Sequence, residues 1–302
     1  MKKQYLTSKN SDCGTVVAVG KFDGIHTGHV KLIKRAVRIA HKNNLFCVVY
    51  TVEPKVYSNR ITDDDYRIKL LKKLGVDAVC TDKLTERYAS QMPYDFVKNV
   101  LCGKLNAKYV TAGYNFKFGH NRCGNTDMLK KICGDFGIEA EIIDCVYKGK
   151  NNIAVSSTYI KELISNGNMS EVNIFLGRNY SLCAQVRHGK QLGRTIGFPT
   201  INMYFPDYMI KPKEGVYCSV VHIDGKKYKG ITNIGHNPTV TDFGTLKAET
   251  HIIDYNDNAY GKNAVIEFLQ YIRPEKKFVS LEALKMQLQQ DVRYALNTEA
   301  DL

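Results

Sequence analysis

The stretch TVVAVGKFDGIHTGHVKLIKRAVRIA, residues 15–40, decides how the first half of this chain folds. Its opening, TVVAVG (15–20), is a run of β-branched and small apolar residues, the composition of a buried strand. Its end carries Val30, Ile33, Ala36, Val37 and Ala40 at helical spacing. Between them lies G-K-F-D-G-I-H-T-G-H, residues 20–29. A loop from a strand into a helix N-terminus suits anions, because backbone N–H groups and the helix dipole point at the ligand. Gly20, Gly24 and Gly28 let the backbone come close to a phosphate. His26 and His29 lie three apart across the turn, so both rings can face one phosphate, and imidazole stabilises charge on a transferring phosphoryl group. A tight turn with two incidental histidines is the plainer reading of the same residues. The loop is neither a Walker A motif nor a Rossmann fingerprint.

Outward from this stretch the alternation continues. LFCVVYTV (45–52) reads as a strand closed by Pro54, Tyr66 to Leu74 as a helix, and DAVC (77–80) as a strand. Helix 96–105, strand 108–113, helix 127–136 and strand 139–144 follow. Strands alternating with helices predict a parallel sheet covered on both faces, with right-handed crossovers. The segment 165–178 holds one more small helix and a Gly-Arg exit.

Beyond it the texture changes. Residues 183–187, 216–223, 228–234, 246–253 and 263–270 read as closely spaced strands with Gly-, Pro-, Asp- and Asn-rich separators. Asp224-Gly225 is a hairpin signal, and the spacing predicts a barrel or a sandwich. A terminal amphipathic helix follows, with Ser280 as its N-cap, Glu282 in its first turn, and Leu281, Leu284, Leu288, Val292 and Ala295 as its apolar stripe. Two domains are expected, residues 1–178 and 179–302.

Composition narrows the class. The 302 residues are 44% hydrophobic and 24% charged, ordinary for a soluble globular chain, and no apolar run reaches bilayer length. No secretory h-region follows Met1. Nine cysteines stand singly without a C-x-x-C pair, which argues for reduced thiols in the cytoplasm rather than a zinc ribbon or a disulfide framework. The formal charge of +13 is scattered rather than blocked, so it favours polyanionic small molecules such as ATP; neither nucleic acid nor membrane is an expected partner. The sequence sets no oligomeric state.

The second half carries its own constellation. In G-R-T-I-G-F-P-T-I-N (193–202), Gly193 and Gly197 suit a loop passing close to a nucleotide. Thr200 and Asn202 supply neutral oxygens acceptable to a hydrated Mg²⁺ together with substrate phosphates. Taken alone this is also an ordinary Gly/Pro loop entering a strand. Glu249 lies in A-E-T-H-I-I-D-Y (248–255), on an alternating strand that puts Glu249, His251 and Ile253 on one face and Ala248, Thr250 and Ile252 on the other. The alternation does not say which face lines a site.

Several motifs in order carry a family resemblance. The loop at 20–29 resembles the nucleotidyltransferase signature in the form used by prokaryotic bifunctional riboflavin kinase/FAD synthetases. ITDDDYRIKLLKKLGVDAV (61–79), G-Y-N-F-K-F-G (113–119) and V-S-S-T-Y-I-K (155–161) resemble that family's further blocks. The series G-R-T-I-G-F-P-T-I-N, G-V-Y (215–217), N-I-G-H-N-P-T (233–239), A-E-T-H-I-I-D-Y, A-Y-G-K (259–262) and R-P-E-K-K-F (273–278) resembles the riboflavin kinase domain. The resemblance implies an α/β nucleotidyltransferase-like first domain, with flanking helices on a parallel sheet. It implies a small Greek-key β-barrel with a terminal helix as the second. The implied activities are ATP-dependent phosphorylation of riboflavin to FMN and adenylylation of FMN to FAD, with Mg²⁺.

The implied roles follow residue by residue. Gly20, Phe22, Asp23, Gly24 and Gly28 line the ATP site, and His26 and His29 meet its phosphates. Asn115 helps hold the nucleotide or the transferring phosphate. Ser157 and Thr158 bind phosphate at the next helix N-terminus, although alone they read as helix capping. Gly193 and Gly197 serve the kinase nucleotide, Thr200 and Asn202 the metal, and Glu249 is the catalytic acidic residue. Two departures stand out. Lys161 sits where the family usually has Arg, keeping the charge but losing the bidentate fork. Pro54-Lys55-Val56 replaces P-H-P.

Overall fold

The computed structural model describes residues 13–189, 192–236 and 246–300, without the side chains of residues 192 and 194. Contacts divide the chain into two compact units, Met1–Tyr57 with Asp64–Ser156, and Ser58–Asp63 with Ser157–Leu302.

The first unit is built on a five-stranded sheet. Its strands are β1 (Thr15–Val19), β2 (Phe46–Glu53), β3 (Ala78–Lys83), β4 (Ala107–Gly113) and β5 (Glu139–Ile143), in spatial order β3-β2-β1-β4-β5. Every pairing is parallel. The central β1 is buried along its whole length, as a strand covered on both faces must be, which accounts for its unbroken TVVAV. Alternate residues feed two separate cores. Val16, Ala18, Cys47 and Val49 pack with Ile33, Ala36, Val37 and Ala40 of α1 (Thr27–Asn43) and Leu71 of α2 (Asp64–Lys73). Val17, Val19, Val48 and Tyr50 pack with Phe96, Val97, Val100 and Leu101 of α3 (Phe96–Lys104) and Leu129 and Cys133 of α4 (Thr126–Asp135). The winding of α3 is π-helical rather than α-helical, with the Leu105 N–H donating to the Val100 carbonyl at its end.

The second unit begins with two short helices, α5 (Ser157–Asn166) and α6 (Met169–Leu176). The Asn173 side chain of α6 donates to the Phe268 carbonyl and accepts from the Tyr180 N–H, tying α6 to the sheet. The strands are β6 (Tyr180–Gln185), β7 (Thr200–Tyr204), β8 (Gly215–Ile223), β9 (Lys226–His236), β10 (Leu246–Ile252) and β11 (Asn263–Arg273). They form one antiparallel sheet in the order β6-β11-β8-β9-β10-β7. A bridge between Arg187 and Asn202 joins its two edges, so the sheet curls into a half-barrel. Tyr180, Phe205, Tyr217 and Phe268 fill the inside. Asp224 (φ 53°) and Gly225 (φ 76°) make the expected hairpin between β8 and β9.

The terminal helix α7 (Leu281–Asn297) starts at Ser280, whose hydroxyl accepts from the Ala283 N–H. Leu288, Val292 and Ala295 pack on Cys218, Ile231 and Ile253 at the outer face of the sheet. Leu281, expected on the inward stripe, is exposed instead, because the first turn runs beyond the sheet-facing cluster. Residues 58–63 count with this unit: the Arg60 N–H donates to the Tyr208 carbonyl, and the Tyr208 hydroxyl donates to Asp63.

Candidate active sites

In the first unit the strand order reverses beside β1. The chain runs outward from β1 to β2 and β3, then returns to place β4 on the other side of β1. Parallel sheets take ligands off the carboxyl ends of the strands at such a switch point. The loop of Gly20 to His26 leaves β1 there, and the turn of Tyr114 and Asn115 leaves β4 there.

The course of the loop is set by its packing. Phe22 (φ 49°) and Ile25 (φ 42°) sit in the left-handed region, as does Gly24 (φ 83°). Such residues persist only when their surroundings over-determine them. Here the Phe22 and Ile25 side chains are buried in the core beneath the loop. The Phe22 ring lies so close under Gly20 that a Cβ there would stand 3.0 Å from it. Asp23 is half-buried.

His26 is the N-cap of α1, and its Nδ1 accepts the His29 N–H at 3.2 Å. That bond puts the ring proton of a neutral imidazole on Nε2. The His26 and His29 rings stack at 3.6 Å with 15° between planes, and a Cβ on Gly28 would press on the His26 ring at 3.2 Å. The first turn of α1 carries no acidic residue to offset its dipole. An N–H donor, stacked imidazoles and a helix start without acidic residues are together able to accept an anion.

Sequence reasoning missed Arg67 here. Its guanidinium is buried, donates to the Lys21 carbonyl at 3.4 Å and pairs with Asp64 at 2.9 Å. Thr51 donates to the same carbonyl. Asn115 is exposed, with its Oδ1 3.6 Å from where a Gly113 Cβ would be. A cavity of about 410 Å³ lies off the ends of β3 and β4, lined in part by Leu84, Tyr88, Phe96 and Gly119.

Ser157, Thr158 and Lys161 share the first turns of α5, which counts with the second unit. Ser157 and Lys161 are half-buried and Thr158 is exposed.

In the second unit, strand register assembles the site. Glu249 stands opposite Asn202 on one side and Asn233 on the other, and His251 stands opposite Thr200. Opposite residues share a face, with Cβ atoms roughly 4.5–5.5 Å apart. Burial alternates along β10: Ala248, Thr250 and Ile252 face the core, which leaves Lys247, Glu249 and His251 on the open side. Lys247 donates to Glu249 Oε1 at 2.5 Å.

Asn202 is buried, and its Oδ1 has no hydrogen-bond partner among the described residues. A buried oxygen in that state fits a cation or its waters. Gly189 makes the position possible, since a Cβ there would lie 2.3 Å from Asn202 Nδ2. Gly193 closes its loop through the Phe198 N–H at 2.8 Å, and its own Cβ would strike the Phe198 carbonyl. Gly197 takes φ 82°. Asn233 donates to Glu275, in the R-P-E-K-K-F stretch. Residues 237–239 of the N-I-G-H-N-P-T motif lie outside the described residues.

Comparison with known families matches residues 8–159 to FAD synthetase and residues 176–298 to riboflavin kinase. A bifunctional riboflavin kinase/FMN adenylyltransferase of Listeria monocytogenes is 35% identical, the match covering 96% of each chain. The chain belongs to this bifunctional riboflavin kinase/FMN adenylyltransferase family. Its Bacillus subtilis relative of the same description is 31% identical, across 97% of this chain and 95% of that one. A crystal structure described as a macrolide-efflux protein from Streptococcus pneumoniae superposes with a TM-score of 0.86 at 31% identity, covering 96% of both chains. No helix among the described residues of the present family member is long and apolar enough to cross a membrane. As in the rest of the family, the chain is a transferase.

Proposed function

We propose that the chain makes FMN and then FAD: riboflavin and ATP give FMN and ADP, and FMN and a second ATP give FAD and pyrophosphate. The cross-strand row of Asn202, Glu249 and Asn233 carries the kinase half of this reading. Glu249 takes the proton from the terminal hydroxyl of riboflavin as that oxygen attacks the γ-phosphorus. Lys247 holds one carboxylate oxygen of Glu249, and the other is the one we assign to the proton. Thr200 and Asn202 would hold Mg²⁺, which when bound neutralises phosphate charge. Gly193 and Gly197 let their loop approach the nucleotide.

In the adenylyl half, the FMN phosphate attacks the α-phosphorus and pyrophosphate leaves. His26 donates from Nε2, and His29 beside it adds a second ring to stabilise the charge that develops. Gly20, Phe22, Asp23, Gly24 and Gly28 shape the loop, and Asn115 follows β4 at the same switch point. Ser157, Thr158 and Lys161 supply further phosphate contacts. The aromatic walls of the cavity at Tyr88 and Phe96 suit a flat flavin ring. We draw the line between the two activities at residues 178 and 179. We place the reactions in the cytoplasm, where nine free thiols stay reduced.

Incubation of the purified protein with riboflavin and MgATP, followed by chromatographic separation of flavins, tests the proposal. FMN is expected first and FAD after it. FMN without FAD would favour a weakened adenylyl half, the reading that Lys161 and Lys55 motivate. Neither product would remove both assignments.

A further inference from the structure

Arg67 is a buried cation that none of the phosphate contacts above uses. It reaches from α2 to the underside of the β1–α1 loop, where Nη1 donates to the Lys21 carbonyl. Its other terminal nitrogen, Nη2, pairs with Asp64 one turn earlier on the same helix. The Thr51 hydroxyl, on buried β2, donates to that same carbonyl. Lys21 is the residue between Gly20 and the left-handed Phe22, the point where the backbone leaves its strand path. Two donors from two different elements therefore converge on the one carbonyl whose orientation sets the course of the loop toward His26. Burial of an arginine is costly unless it is paired and hydrogen-bonded, and here Nη1 meets the Lys21 carbonyl and Nη2 meets Asp64.

We propose that Arg67 is a positioning residue for adenylyl transfer, fixing the loop that presents His26 and the start of α1 to the triphosphate. The proposal rests on the adenylyl reading of the first unit. Arg67 touches no reacting atom; it acts through the Lys21 carbonyl, with Thr51 as the second brace. Asp64 keeps the guanidinium plane aimed, because one flat group serves both partners at once. A lysine at this position can serve one partner but not both in that geometry.

The test uses the full chain. Arg67→Gln, Arg67→Lys and Thr51→Val are assayed for FAD formation from supplied FMN and MgATP, and for FMN formation from riboflavin. Misplacing a catalytic group by about 1 Å costs about 10²-fold, so kcat for FAD should fall by roughly 10- to 100-fold in Arg67→Gln. KM for FMN should hardly move, the kinase rate should persist, and Arg67→Lys should recover part of the loss. Thr51→Val should lose a few-fold in the same parameter. A lowered melting temperature with kcat preserved in the two arginine variants would overturn the proposal by reducing Arg67 to a fold-stabilising residue. If Arg67→Gln does not fold, Arg67→Lys decides, and an unchanged kcat there also overturns it. If the unsubstituted protein makes no FAD, the adenylyl reading fails by itself. Calorimetric ATP binding then tests the brace separately: unchanged affinity in Arg67→Lys and Thr51→Val overturns it, and weakened affinity supports it.

Discussion

The two candidate sites are built in opposite ways. In the first unit most of the groups we assign to the adenylyl step come from one continuous stretch, Gly20 to His29, which spans the β1–α1 loop and the first turn of α1 and whose shape is set by backbone angles and by side chains buried beneath it. In the second, Thr200, Asn202, Asn233 and Glu249 come from three strands, and only antiparallel register puts them in a row. A parallel sheet offers its strand ends and helix starts to a ligand, so function gathers in connections. A curled antiparallel sheet offers a face, so function gathers at alternate positions along strands. The first kind of site should fail when the loop moves, and the second when one cross-strand neighbour changes.

Substituting the groups assigned to chemistry tests that comparison most severely. Glu249→Gln keeps shape and removes the base, and general-base catalysis is worth about 10²–10⁴-fold. FMN formation should fall by that order, while FAD formation from supplied FMN stays intact. A near-normal kinase rate would take Glu249 out of the mechanism and leave the row without a chemical purpose. His26→Ala or His29→Ala should lower FAD synthesis by about 10²–10³-fold, the usual cost of one well-placed donor, and spare riboflavin phosphorylation. If these histidines only hold the turn, the melting temperature falls and activity per folded molecule survives.

The same contrast explains what could be read in advance. The histidine loop was legible because its parts are contiguous: strand composition, three glycines and the H-x-G-H spacing lie within one window of sequence. The parallel sheet followed from that window and from the strand–helix alternation that continues beyond it. Asn202 and Glu249 were legible only as motif positions, since register is not written in either strand alone. Strand β7 was hidden by the Gly/Pro loop that enters it. Asn233 was not singled out because its partner is chosen by pairing. Arg67 was missed for a different reason: a charged residue on a short helix predicts solvent, and nothing local signals that this one turns inward.

Glycines offer a finer comparison, because a methyl group can disturb either a neighbour or the backbone. At Gly189 the disturbance falls on a neighbour. No left-handed angle is needed there, but a Cβ would collide with the Asn202 amide at 2.3 Å. Gly189→Ala should push Asn202 away from its place beside Glu249 and lower kinase turnover by about 10- to 100-fold, scaled from the cost of misplacing a group by about 1 Å. FAD formation from supplied FMN should not change. Normal kinase kinetics would show that the buried Asn202 oxygen has no part in holding metal or phosphate.

At Gly225 the disturbance falls on the backbone alone. Its φ is 76°, and nothing lies within 4 Å of an added Cβ. The residue belongs to the hairpin between β8 and β9, at the Asp224 end of the turn, while Asn233 and Glu249 pair farther along β9. Gly225→Ala must therefore pay only left-handed strain, about 1 kcal/mol, for an L-residue in that region. A loss of that size lowers the melting temperature by roughly 2–4 °C in a folding unit of 150–250 residues and by more in a smaller one. Both activities per folded molecule should be unchanged. The pair of alanine substitutions then separates the two uses of glycine in one sheet: one makes room for a functional side chain, the other permits a turn. Should Gly225→Ala slow FMN formation while Gly189→Ala does not, strand register at the Asp224 hairpin, rather than the seating of Asn202, would be what aligns the row around Glu249.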